Sequence, residues 1–173
     1  MPKMGASFSR NQEVRRYPIL AYAMVPLLAL VLQAWLPRLL RGYAWFDLPL
    51  VVTVYFALGQ RTPIQGTLMG AAMGIFEDAL TGHAIGVNGI AKTVAGFLAA
   101  SVGIRIDVEN HTIRLVLNFL LSLLSSAIYV FVYRILLGLN LEWSWLIELL
   151  KAIGNSLVAL VLFPALDRLQ IKE

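Results

Sequence analysis

The sequence predicts an all-α, polytopic integral membrane protein with six transmembrane helices. Three observations carry this. Charged residues make up 14% and hydrophobic residues 59% of 173 positions, with a mean hydropathy of +0.75. A soluble domain uses about 25% charged residues to cover its surface. The apolar residues are gathered into runs of bilayer-crossing length. Lys and Arg stand at the ends of most of these runs, where they set orientation. The length allows five or six spans and no separate soluble domain.

Residues 1–16 form a polar leader, with Lys3, Arg10, Arg15 and Arg16 against Glu13. Residues 17–166 are expected to form a single six-helix transmembrane domain, and residues 167–173 a cytoplasmic tail. The first span covers residues 17–36, with Trp35 as an interface anchor. Its length, and Pro26 within it, argue against a cleaved signal peptide. The second run, residues 47–58, is short for a span. It is read as a marginal crossing, with a re-entrant segment as the alternative. Asp47 followed by Pro49 marks its start, because Asp caps a helix and Pro is tolerated in the first turn.

The third span runs over residues 63–80 and the fourth over 86–104. The stretch RIDVENHTIR, residues 105–114, reads as a water-facing loop. The fifth span covers 113–137 and the sixth 145–163, after which Pro164 leads into a polar tail with Arg168 and Lys172. With the amino terminus inside, Lys3, Arg10, Arg15, Arg16, Arg61, Arg105, Arg114, Arg168 and Lys172 collect on the cytoplasmic side. Only Arg38, Arg41 and Arg134 stay outside. That bias puts both termini in the cytoplasm and requires an even number of spans.

Several function classes drop out. No cysteine is present, so disulfides and thiolate chemistry are absent and the redox compartment is unreadable. A pI near 9.6 does not imply nucleic-acid binding, because the basic residues mark span ends and form no basic face. His83 and His111 fall on opposite membrane sides, and neither an HExxH nor a GxxxxGK motif occurs. Ser122, Ser125 and Ser126 read as packing residues. Glu77 and Asp78 are adjacent and point about 100° apart on a helix, a poor catalytic dyad. The expectation is no enzyme, no metal and no cofactor.

The most informative stretch is residues 66–100. Gly66, Gly70, Gly74 and Asp78 are four apart, as are Asn88, Lys92, Gly96 and Ala100. On helices each row lies along one face, so Gly66, Gly70, Gly74, Gly96 and Ala100 form a helix-packing face. Asp78 lies about 22 Å from the start of its span at 1.5 Å per residue. Lys92 lies about 9 Å from the opposite surface, so the two meet at one level of a roughly 30 Å core. Glu77, Asp78, Asn88 and Lys92 are therefore a candidate intramembrane polar cluster. Three readings stay open: an ion pair locking helix register, an outward ligand site with His83 nearby, or snorkelling to the interface. Glu148, Lys151 and Asn155 form a secondary polar stripe near the outer end of the sixth span.

The segments DLPLVVTVYFAL, GTLMGAAMGIFEDAL, TGHAIG and GVNGIAKTVAGFLA together resemble the rod-shape-determining membrane protein family MreD, over about a third of the chain. The resemblance implies a non-enzymatic component of the bacterial cell-elongation machinery in the cytoplasmic (inner) membrane. It implies MreC as the direct partner, with RodA–PBP2 and MreB linked through it. It also implies a membrane fold similar to the substrate-binding subunits of energy-coupling-factor transporters. The rival reading is accordingly a substrate-binding membrane subunit for a vitamin or other small molecule.

Overall fold

The structure, a computed structural model, describes residues 18–39, 46–60, 62–106, 110–140 and 143–170. Among the described residues there are six α-helices and no strand. These are α1 (Ile19–Leu39), α2 (Leu48–Leu58), α3 (Pro63–Thr81), α4 (Val87–Gly103), α5 (His111–Phe131) and α6 (Trp145–Asp167). A π-helical turn, Val132–Leu136, continues α5. The leader, Arg61 and the last three residues of the tail lie outside the described residues. Two helices are long and apolar enough to cross a membrane: His111–Leu136, of 26 residues, and Trp145–Asp167, of 23. The apolar stretches of α1, α2 and α4 are shorter.

The central element is α2, which packs against each of the other five helices. Ten of its eleven residues are buried. Its sequence LPLVVTVYFAL is apolar on every face, as a helix enclosed on all sides requires. At 1.5 Å per residue it is about 16 Å long, roughly half the thickness of a hydrocarbon core.

Around it, α3 and α4 pack antiparallel in the most extensive helix contact of the fold. The turn between them uses Gly82 (φ 72°) and Gly86 (φ 101°), both in the left-handed region that residues with a Cβ avoid. On the other side of α2, α5 packs on α4 and α6.

Three boundaries differ from the sequence reading: α1 runs past residue 36 through Pro37 to Leu39, and the other two bear on the buried polar groups. The end of RIDVENHTIR is helical: α5 starts at His111, and Asn110 caps it by accepting from Thr112 N at 2.9 Å. Arg114, expected in a water-facing loop, is therefore a first-turn residue and is buried. At the other end, α6 does not stop at Phe163 but runs through Pro164 to Asp167. Burial of Phe163 and Leu166 against the bundle holds this last turn although Pro164 donates no backbone hydrogen bond.

The distribution of polarity is inverted relative to a water-soluble bundle. Leu27, Leu28, Leu32, Leu68, Phe76, Leu120, Leu157 and Val161 face outward, whereas Asp78, Lys92, Arg114, Asn118 and Asn155 are buried.

Candidate functional site

The site is built around the start of α2. Asp47 precedes that helix and uses its two carboxylate oxygens separately. Oδ1 accepts from Leu50 N at 2.9 Å and caps the helix. Oδ2 accepts from Lys92 Nζ of α4 at 2.8 Å. The neighbouring N–H groups are also met by side chains. Leu48 N donates to Gln33 Oε1 of α1 at 3.1 Å, and Asp47 N donates to Asn155 Oδ1 of α6 at 2.7 Å. Gln33 Nε2 returns a hydrogen bond to Phe46 O at 3.0 Å. Pro49 has no N–H to satisfy, so a helix start inside the bundle leaves no orphan donor in its first turn.

Lys92 is fully buried and faces three partners: Asp47 Oδ2 at 2.8 Å, Glu77 Oε2 of α3 at 2.7 Å, and Asn88 Oδ1 at 3.3 Å. The Glu77 contact is an ion pair whose direction lies off the hydrogen-bond axis. Asp78 takes a different set of donors. Its Oδ2 accepts from Gly86 N at 2.8 Å, Asn88 N at 3.1 Å and Gly89 N at 3.4 Å, and its Oδ1 accepts from Asn88 Nδ2 at 2.8 Å. Asp78 thus caps α4 from the neighbouring helix, where the positive end of the helix dipole favours a carboxylate. Two carboxylates, Asp47 and Glu77, share one ammonium, and the donors at the start of α4 balance the third, Asp78. Burial of charge at this density requires such pairing.

The glycine face positions these groups. A Cβ on Gly66 would land against Gly96 O, and within 2.7 Å of Ala100 Cβ. One on Gly70 would land against Lys92 O, and one on Gly74 against Asn88 O. The two four-residue rows therefore mesh backbone to backbone, and Asp78 is the next residue of its row. Gly103, not singled out from sequence, does the same for α4 against Leu58 O of α2.

All four residues of the expected cluster come together: Glu77, Asp78, Asn88 and Lys92. His83 does not join them; it is exposed, with Nδ1 2.7 Å from Thr81 Oγ1. The secondary stripe divides. Lys151 Nζ donates to Glu148 Oε1 at 2.9 Å as a pair along α6. Asn155 turns inward to Asp47, and its Nδ2 donates to Ser122 Oγ at 3.2 Å. Asn155 lies ten residues into α6, so the cluster sits about 15 Å along it, near mid-helix rather than near its first turn.

A second polar cluster lies toward the far end of α2. Arg114 Nη1 donates to Asp167 Oδ2 at 2.8 Å and Nη2 to Oδ1 at 3.2 Å, while Tyr55 Oη and Gln170 Nε2 also donate to Oδ1. The guanidinium lies over the Tyr55 and Phe163 rings, 5.2 and 4.9 Å from their centroids. Sequence reasoning assigned Asp47 only a capping role and missed Gln33, Tyr55 and Asp167. A lone polar residue inside an apolar run, as Gln33 is, was the available signal.

Among the described residues no group of three His, Cys, Asp or Glu side chains is arranged to hold a metal ion. No family model, curated relative or solved structure matches the chain.

Proposed function

We propose that this chain is a non-enzymatic, six-span scaffold of the bacterial cell-elongation machinery, of the MreD type. In this reading it lies in the cytoplasmic membrane with both termini inside. It docks the membrane helix of MreC and through it links MreB to RodA and PBP2. The observation that carries the proposal is the convergence of the segments on which the resemblance rests. Asp47 of DLPL, Glu77 and Asp78 at the end of the glycine-spaced helix, and Asn88 and Lys92 of the following helix form one connected cluster. Residues scattered over the pattern thus behave as one physical unit.

The inverted polarity of the bundle supports a multi-pass arrangement, since lipid accepts an apolar exterior and penalises an unpaired internal charge. In this topology α2 supplies only the inner part of the second crossing. The self-satisfied state of the cluster favours a scaffold over a small-molecule-binding subunit, whose polar groups would face an open cavity. Co-expression with a cognate MreC and purification in detergent tests the assignment. A stable complex is expected, and repeated failure to recover one would overturn it. Reporter fusions at both termini test the topology, with a cytoplasmic signal expected at each.

A further inference from the structure

We propose that Asn118 is an internal water-binding site, and that water held there joins the two buried polar clusters into one path along α5. Asn118 is fully buried, and neither Oδ1 nor Nδ2 has a hydrogen-bond partner among the described residues. A buried amide in that condition is unstable unless water supplies the missing partners, and such a water typically makes about two to four hydrogen bonds.

The surroundings point the same way. Arg114, Asn118 and Ser122 are spaced four apart on the buried face of α5, about 6 Å per step along the axis. Arg114 belongs to the Asp167 cluster, and Ser122 reaches the Asp47 cluster through Asn155. Asn118 is the step between them. The Ser122–Asn155 hydrogen bond and the Arg114–Phe163 stacking fix the antiparallel register of α5 against α6. That register sets Asn118 opposite Ala159, a fully buried small residue. The proposed water lies at this level, where the side chain facing the unsatisfied amide is small.

This inference rests on the bundle alone and is independent of the MreD reading. The test is water-edited solid-state NMR of the full chain in lipid nanodiscs with Asn side chains labelled with ¹⁵N. Asn118→Leu identifies the signal by its loss. Rapid magnetisation transfer from water to the Asn118 side-chain amide is expected, and an amide that stays dark while exposed Asn110 builds up overturns the proposal. Thermal unfolding gives a second readout. Asn118→Leu removes the water's anchor and is expected to lower Tm, whereas a dry orphan amide would gain stability on replacement by an apolar side chain of similar size. A rise in Tm therefore also overturns it.

Discussion

Asp47 and Lys92, 45 positions apart in the chain, meet at 2.8 Å at the start of α2. The same carboxylate caps the helix through its other oxygen. One side chain therefore begins the central helix and ties it to α4, so the placement of α2 and the pairing of the buried lysine are a single event. Asp47→Asn keeps an acceptor for Leu50 N and leaves Glu77 to pair Lys92. Asp47→Ala loses both interactions. The alanine variant is expected to lose at least about 1 kcal/mol, the typical cost of a lost N-cap, and the asparagine variant less. Thermal unfolding in detergent ranks the two.

Lys92→Met leaves the buried Glu77 and the partly exposed Asp47 side by side without a cation. Breaking a buried pair from one side costs about 3–5 kcal/mol. Adding Glu77→Gln removes one uncompensated charge, so the double variant is expected to be more stable than Lys92→Met alone. A double-mutant cycle on Tm measures this, and additive losses would argue against direct coupling.

Gly70→Ala and Gly89→Ala make the same chemical change with different outcomes. At Gly70 the new methyl meets the Lys92 backbone carbonyl, while at Gly89 it meets the movable Ile75 Cγ1 at 3.1 Å. A backbone cannot yield without separating α3 from α4, so Gly70→Ala is expected to cost about 1–3 kcal/mol, as overpacking does. Gly89→Ala is expected to cost clearly less. Parallel melting curves decide the order.

Arg114→Lys keeps the charge and loses the two-pronged contact with Asp167 and the stacking over Tyr55 and Phe163. Lysine is a point donor and does not replace a planar fork. Asp167 is partly exposed, which limits the loss to about 1–3 kcal/mol, the scale of hydrogen bonds to charged groups. Hydrogen exchange of the last turn of α6 is expected to quicken in this variant. Unchanged exchange would remove Arg114 as the anchor of that turn.

The sequence by itself determined the helical elements and the α3–α4 pair. Hydrophobic run length, Asp-x-Pro at a helix start and glycines every fourth residue are local signals, and each follows from backbone geometry within one or two helices. The meeting of Glu77 or Asp78 with Lys92 was legible for the same reason, because a short turn forces adjacent helices to run antiparallel at matched depth. What only the tertiary structure decided is which carboxylate does what. Lys92 takes Glu77 and the distant Asp47, while Asp78 is turned to the amides of α4. Adjacent residues on a helix point in different directions, and the choice between them depends on the rotation of α3 about its axis, set by the Gly66–Gly74 contacts. The divided fate of Glu148, Lys151 and Asn155, and the burial of Arg114, likewise depend on α2 standing in the centre. An apolar run of eleven residues gives no sign of its neighbours, and enclosure by all five other helices is a property of the assembled bundle.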